Sequence, residues 1–284
     1  MPKRRKSLSL SVFWGLVFLV SLAGLLGLSF LIKLKKNSLW DGRLPMSVVE
    51  SQGEQLWLKS FFPEENRWLE LKLPGNTLVE VPGGFGQYQL RSVYKLGELD
   101  GRGGQLLARS VQDLLAVPVD GWRVEGKTNL SWWDRLRLWW QGNLNGSRKK
   151  EINLGQLASF QPLELKDGSR IYRVSQILVD DLVNREYFDD RLAEENLTVA
   201  ILNGSGVTGM AKTVSRLAAN LGAEVVSIKN YQSIGTSMLV VAETGVVESR
   251  TYQRLSQALG IAKVEIRPGN EFRADLAVVV GEDF

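Results

Sequence analysis

The chain has 284 residues, a formal net charge of +4, and neither histidine nor cysteine. The absence of these two residue types excludes disulfide frameworks, thiol nucleophiles, histidine bases and the common zinc sites. Of the 35 Lys and Arg, seven lie in the first 36 residues, which hold no acid, so 28 basic residues face 31 acidic ones in the rest. The basicity belongs to one end, and no nucleic-acid partner is expected.

Residues 7–32 contain no charged residue and are long enough to cross the ~30 Å apolar core of a bilayer as a helix. A cleaved secretory signal is the alternative, because small residues at 21–23 offer a cleavage site. The apolar stretch continues past that site, whereas a signal peptide has an apolar region of only ~7–15 residues. We predict a cytoplasmic basic tail (1–6), a single uncleaved transmembrane helix (7–32) and a linker (33–46). The bulk of the chain is then extracytoplasmic, on the outer side of the cell membrane.

Residues 47–184 are predicted to form an α/β domain. Strand-like segments such as EQLWLKSFFP (54–63) precede a helix-like segment and a further strand in GGQLLARSVQDLLAVPVDGW (103–122). The charged segment 185–196 follows, with four acidic residues: Asp189, Asp190, Glu194 and Glu195. Such a cluster is able to hold a cation, but we predict a solvated helical linker and no metal site.

Within that domain, residues 131–141 are predicted to form a tryptophan-rich helix. Ser131, followed by Asp134 three residues later, resembles a capping box. At 100° per residue, four Trp and Leu136 fall within an arc of about 120°, and two Arg flank it. The residues concerned are Trp132, Trp133, Trp139, Trp140, Arg135 and Arg137. Two alternatives stay open: the stripe meets lipid at the membrane interface, or it packs onto the core of the domain.

The tail, residues 197–284, contains strand and helix patterns in the order βαββαββ. One helical pattern spans 207–222 and ends at Gly222, and another spans 245–260 and ends at Gly260. This order predicts a small α+β domain of ferredoxin-like type, with helices on a mostly antiparallel sheet.

The loop NGSGVTG (203–209) fits G-x-G-x-x-G through Gly204, Gly206 and Gly209. A dinucleotide fold needs several parallel βαβ units and an acidic residue at the end of the second strand, where this chain has Lys229 and Asn230. We therefore predict no cofactor.

The glycines of this loop are expected to serve the backbone. Gly204 and Gly206 are predicted to adopt positive φ, and Gly209 to let the following helix lie close to the sheet. A weaker functional alternative adds Asn203 and Ser205: the exposed N–H groups of the loop would then bind an anionic or sugar-linked ligand.

The tail sequences VAILNGSGVTGMAKTVSRLAANLGAEVVSIKN and RADLAVVVGEDF resemble the C-terminal domain of LytR-CpsA-Psr cell-envelope proteins. Both the N-G-x-G-x-x-G-x-A turn and the D-x-x-V-V-x-G-x-D ending are present. The resemblance covers 197–284 and implies a bacterial envelope setting.

Residues 47–184 resemble the other half of that family faintly, as a degenerate relative. In the catalytic members a strand followed by Pro-Arg-Asp places an arginine and an aspartate near the pyrophosphate of a lipid-linked glycopolymer. The matching positions here are Pro74, Gly75 and Asn76, so both functional side chains are missing. Arg91, Lys95, Arg102 and Arg109 lie nearby in sequence and are expected to be solvated surface.

Two functions follow from the resemblance. The first is a membrane-anchored, non-catalytic envelope protein whose C-terminal domain binds peptidoglycan, a wall glycopolymer or a protein partner. The second is a divergent transferase that joins a polyprenyl-pyrophosphate-linked glycopolymer to peptidoglycan. Gly75 and Asn76 favour the first, because phosphoryl transfer relies on cations and a carboxylate. No catalytic residue is predicted.

Overall fold

The computed structural model of the protein describes residues 38–143, 146–166, 168–269 and 272–284, with isolated positions between 14 and 29. The predicted cytoplasmic tail 1–6 and most of the predicted transmembrane helix 7–32 lie outside the described residues. Within the part of the chain that is described, no helix is both long and apolar enough to cross a membrane. The membrane span and its orientation therefore stay predictions.

The first part of the described chain is an α/β region. In chain order its elements are β1 (Met46–Gln52), β2 (Gln55–Phe62), β3 (Arg67–Pro74), β4 (Leu78–Val81), β5 (Gly86–Gln89), α1 (Leu90–Glu98), α2 (Gly103–Leu115), β6 (Gly121–Val124), β7 (Lys127–Thr128), α3 (Trp132–Asn143), β8 (Arg148–Asn153), β9 (Phe160–Glu164), β10 (Arg170–Val174), α4 (Gln176–Tyr187) and α5 (Asp190–Glu194).

Six of these strands form a mixed sheet in the order β7-β6-β1-β2-β3-β8. Short turns join β1, β2 and β3, so these strands are antiparallel neighbours. The chain reaches β6 and β8 through helices, and these strands lie parallel to β1 and β3. The pairing follows connection length, because parallel neighbours need a long crossover and antiparallel ones do not.

Alternation along the strands produces a core on each face of this sheet. Leu56 belongs to the larger core, which α1, α2 and α4 cover. Phe61 and Trp68 point to the opposite face, where they pack with Trp40 and with Leu138 of α3. The tryptophan-rich helix is therefore a cover for the second face of the sheet.

The tail forms a second sheet. Its elements are β11 (Thr198–Asn203), α6 (Met210–Asn220), β12 (Glu224–Asn230), β13 (Met238–Val241), α7 (Arg250–Leu259), β14 (Val264–Ile266) and β15 (Leu276–Val280). The order βαββαββ is the predicted one, and Gly222 and Gly260 follow the two helices with positive φ. The strands form a five-stranded sheet in the order β12-β11-β15-β13-β14.

The ferredoxin-like, mostly antiparallel sheet predicted for the tail is wrong. β12 and β15 are both parallel to β11, β14 is parallel to β13, and the β13–β15 pairing alone is antiparallel. The reason lies in two helical crossovers. Helix α6 joins β11 to β12 and α7 joins β13 to β14, and each crossover places the second strand beside the first and parallel to it. The tail therefore consists of two βαβ units on either side of β15.

Two acidic residues of segment 185–196 bind the tail. Asp189 accepts a hydrogen bond from Nε of Arg250 at 2.6 Å. Glu195 accepts bonds from the backbone N–H and the hydroxyl of Thr251, at 2.8 and 2.7 Å, and so caps the start of α7. These two carboxylates are partnered rather than solvated. No group of acidic residues in the described ranges is placed to hold a metal ion.

A buried arginine joins the two regions. Arg254 of α7 is 1% exposed, and its Nη1 donates to the backbone oxygen of Pro45 at 3.0 Å. Gln257, one turn later, donates to Asp120 at 2.9 Å. Desolvation raises the pKa of Asp120 and lowers that of Arg254, and the attraction between the two charges opposes both changes.

Candidate functional site

The turn after β3 holds Gly75 and Asn76, which the predicted resemblance aligns with the arginine and aspartate of the catalytic family. A Cβ on Gly75 would lie 2.7 Å from the backbone oxygen of Glu54 and 3.2 Å from Cβ of Arg91. The side-chain amide of Asn76 donates to the backbone oxygen of Arg170. The turn therefore has no room for a side chain at Gly75, and Asn76 serves to hold the neighbouring hairpin.

Two of the cations nearby form surface ion pairs. Arg91 pairs with Glu54 at 2.9 Å, and Arg102 lies 3.7 Å from Asp100. Lys95 is exposed, as predicted.

Arg109 contradicts the expectation of a solvated surface. Its guanidinium lies 3.7 Å from the ring centroid of Phe284, and its Nε lies 3.2 Å from Asp113. This side chain connects α2 to the C-terminal end of the tail.

Gly204 and Gly209 exchange the roles predicted for them, whereas Gly206 has the predicted positive φ. Gly204 has no positive φ; a Cβ there would meet the backbone oxygens of Gln232 at 2.8 Å and Val280 at 3.2 Å. Gly206 and Gly209 have φ of +74° and +87° with open space around them. Close approach is therefore required at the first glycine and left-handed backbone at the other two.

Hydrogen bonds inside the loop occupy much of its polar capacity. Oδ1 of Asn203 accepts from the backbone N–H and the hydroxyl of Ser205, at 3.2 and 2.7 Å. The Ser205 hydroxyl in turn accepts from the N–H of Val207 at 3.1 Å. The loop lies in a parallel βαβ unit, yet β12 ends in Lys229 and Asn230, without the acidic residue that binds a ribose. The internal hydrogen bonds and the missing acidic residue favour a structural turn over a dinucleotide site.

The tryptophan-rich helix α3 begins with the predicted cap. Ser131 Oγ accepts from the N–H of Asp134 at 3.0 Å and donates to its carboxylate at 2.7 Å. The carboxylate is fully buried, and it also accepts from the hydroxyl of Ser38 and from the N–H of Leu39, the latter at 3.0 Å. Asp134 therefore fixes the start of the described chain to the first turn of α3.

Arg137, which was predicted to flank the tryptophan stripe, binds the same segment. Its Nη1 donates to the backbone oxygen of Trp40 at 2.9 Å, and its guanidinium lies 4.4 Å from the Trp40 ring centroid. Arg135 is exposed.

The tryptophan stripe faces away from the protein. The buried residues of α3 are Asp134 and Leu138, whereas Trp132, Trp139 and Trp140 are 55%, 54% and 56% exposed. Trp133 is partly buried. The alternative in which the stripe packs onto the core is wrong, because the helix presents its opposite face to the sheet.

A cavity of 630 Å³ lies between the two regions. It is lined by both apolar and polar side chains from β4, β5, α2, α4, β10 and α6, the polar ones including Gln87, Ser110, Arg173, Gln176 and Thr213. Ser110 is 1% exposed, and its hydroxyl has no hydrogen-bond partner within the described structure. A buried hydroxyl without a partner is costly, so a ligand group that reached it from the cavity would satisfy it.

The charges of the cavity nearly balance. The guanidinium of Arg216 is paired with the Asp180 carboxylate, which lies 2.9 Å from its Nε. Burial raises the pKa of the Asp113 carboxyl, and the positive charge of Arg109 opposes this rise. The positive charge of Arg173, which is exposed, is offset by the negative charge of Glu80, and both residues line the cavity.

Residues 196–284 match the family described as LytR cell envelope-related transcriptional attenuator, LytR_C. The resemblance predicted for the tail is confirmed. Residues 196–284 are called the LytR_C region below. No curated protein matches the chain.

Solved structures similar to this chain belong to the LytR-CPS2A-psr group. TagT of B. subtilis is 14% identical, with a TM-score of 0.41 over 50% of this chain and 89% of that one. A structure described as the LytR-CPS2A-psr family protein YwtF (TagT) with bound octaprenyl pyrophosphate lipid is 14% identical, with a TM-score of 0.40 over 50% and 89%. TagU of B. subtilis is 12% identical, with a TM-score of 0.34 over 49% and 94%. These likenesses are remote.

The cavity beside the LytR_C region was not predicted from the sequence. Ser110 and Thr213 are far apart in the chain and have no motif in common. They meet because α6 docks against α2 and α4, where Arg216 donates to the backbone oxygens of Asp113 and Leu114 at 3.2 and 3.1 Å. Contacts of this kind depend on tertiary structure, which local sequence patterns do not reveal.

Proposed function

We propose that the chain is a membrane-anchored, extracytoplasmic protein of the bacterial cell envelope that binds a wall glycan and does not catalyse glycopolymer transfer. The match of residues 196–284 to LytR_C carries the envelope assignment. The uncharged run 7–32 supports the anchor, and the basic residues before it support a cytoplasmic N-terminus.

The turn after β3 supports the proposed absence of transfer activity. Transfer of a phosphoryl-linked polymer needs fixed cations against the developing charge, and a carboxylate for the metal or the attacking hydroxyl. Gly75 and Asn76 offer neither, and the contact with Glu54 leaves no space for an arginine at Gly75. A purified chain supplied with a lipid-linked glycopolymer and Mg²⁺ or Mn²⁺ is expected to release no pyrophosphate-linked lipid.

The glycan is proposed to bind in the cavity between the LytR_C region and the first region. Its volume of 630 Å³ lies within the range of ligand sites. Amide and hydroxyl groups from Gln87, Gln176 and Thr213, with charges that nearly balance, suit a hydroxyl-rich polymer better than a polyanion. A protein partner is the second possibility for this surface.

Sedimentation with purified cell walls tests the binding. Ser110→Ala removes a hydroxyl that has no hydrogen-bond partner among the described residues, so folding is expected to be unchanged. Loss of one hydrogen bond to the glycan, worth roughly 0.5–1.5 kcal/mol, should weaken wall binding about two- to tenfold. Ser92→Ala, at an exposed position of α1, is the matched control. Equal binding by both variants would reject the cavity as the site, and no sedimentation of the parent chain would reject wall binding.

External protease added to intact spheroplasts tests the anchor. Digestion of residues beyond 45 is expected. Full protection would reject the orientation, and a mature N-terminus near residue 24 would reject the uncleaved anchor.

A further inference from the structure

The exposed stripe of α3 lies beside the point where the chain would leave the membrane. Residues 33–37 separate the apolar run 7–32 from Ser38. A fully extended chain covers at most ~3.6 Å per residue, so Ser38 lies within roughly 20 Å of the end of that run. Because Asp134 binds both Ser38 and Leu39, this limit applies to the first turn of α3 as well.

The stripe itself is apolar, and the described residues leave its outer side uncovered. Trp132, Trp139 and Trp140 are each more than half exposed, and Leu39 adjoins the first turn with 46% exposure. Trp132 and Trp140 are eight residues apart, which is ~12 Å along a helix, so the stripe runs nearly the length of α3. A helix with this arrangement meets a flat apolar surface with its axis parallel to that surface.

The surrounding charges favour anionic lipid. Arg135 is exposed beside the stripe, and Lys33, Lys35 and Lys36 precede the described segment. Indole rings prefer the headgroup layer, and basic residues near that layer are attracted to anionic lipids.

We propose that α3 lies in the headgroup layer of the outer leaflet and docks the first region on the bilayer through Trp132, Trp139 and Trp140. This inference rests on the proposed anchor. The stripe contacts the lipid headgroup layer. The sheet face that α3 covers is then on the membrane side of the first region.

The natural chain has no cysteine, so a single introduced cysteine is a unique labelling site. The full chain is placed in nanodiscs that contain phosphatidylglycerol and phosphatidylcholine, with an environment-sensitive fluorophore at Trp139→Cys. Leu99→Cys, at the 82% exposed position that directly follows α1, is the matched control. Circular dichroism checks that both variants keep the fold, and flotation with alkaline carbonate washing checks the anchor separately.

We expect the label at position 139 to show blue-shifted emission that brominated phospholipid quenches, and the label at position 99 to emit as in water. Trp132→Ser with Trp140→Ser should reduce the shift at position 139. An aqueous spectrum at 139 in a chain that floats with the lipid would overturn the docking and leave the anchor intact. A blue shift that brominated lipid does not quench would mean that protein covers the stripe, which also overturns the proposal. A chain that carbonate extracts would reject the anchor and the docking together.

Discussion

Substitution of Gly204 by alanine should destabilise the LytR_C region through a steric clash. The new Cβ would lie 2.8 Å from the Gln232 oxygen, 3.2 Å from the Val280 oxygen and 3.1 Å from Cγ1 of Ile234. The two oxygens belong to backbone, and the main chain of Gly204 bonds to Val280 at 2.8 Å and to Ile234 at 3.0 Å. Relief of the clash must therefore stretch these bonds. Overpacking of this kind costs about 1–3 kcal/mol.

Two further glycines separate the clash from backbone strain. Gly206→Ala meets no neighbour but forces φ of +74° on an alanine, at a cost of roughly 1–2 kcal/mol. Gly235→Ala has open space and no positive φ, so its change should stay within about 0.5 kcal/mol.

Amide hydrogen exchange of the full chain, followed in peptides from β11 and β15, measures the local free energy of opening in each variant. If Gly204→Ala exchanges as slowly as Gly235→Ala, the close approach is not a constraint and the reasoning fails.

Three other predictions follow from the described contacts. Arg254→Ala removes the positive charge that attracts the buried Asp120 carboxylate, and it should lower the free energy of unfolding in urea by about 3–5 kcal/mol. The control, Arg185→Ala at an exposed position, should have little effect. Hydrogen bonds from Thr198 and Ser237 lower the pKa of Asp275 and Asp283. Their stabilisation is present above the unfolded pKa of ~3.9 and is lost as pH falls through the lower folded value, so the thermal midpoint of the LytR_C region should drop below about pH 4; a midpoint that does not change from pH 6 to 3 would contradict this. The double variant Gly75→Arg with Asn76→Asp should gain no transferase activity and should lower the thermal midpoint, because the clash with Glu54 persists; turnover with Mg²⁺ would reverse the conclusion.

The order of elements in the tail could be predicted because each helix carries a local signal. Apolar spacing marked α6 and α7, and Gly222 and Gly260 marked their ends with left-handed backbone. The pairing of strands could not be predicted in this way. β15 is the last strand in sequence and lies at the centre of the sheet, and the choice of its partners is a long-range packing decision that no local pattern records.

The tryptophan helix shows a similar limit. Its periodicity gave the stripe correctly, but it did not show which face would be buried. That face contains Asp134, a charged residue that is seldom buried unless it is paired. The Asp134 carboxylate is tolerated there because it accepts hydrogen bonds from the hydroxyls of Ser38 and Ser131 and from the N–H of Leu39. The N–H of Asp134 donates to Oγ of Ser131. The sequence does not show that the segment at Ser38 folds back onto the helix.

The short segment 38–45 is held at both of its ends, and this connects the two proposals. Asp134 binds its start, Nε1 of Trp40 closes it on the Leu44 oxygen at 2.8 Å, and Arg254 of the LytR_C region binds the Pro45 oxygen at 3.0 Å. Movement of the LytR_C region relative to α3 must break the hydrogen bond between buried Arg254 and the Pro45 oxygen. Loss of such a bond costs more free energy than separation of a surface ion pair. If α3 rests on the bilayer, the distance between the glycan cavity and the membrane is therefore set by the fold. The length of the linker does not determine it.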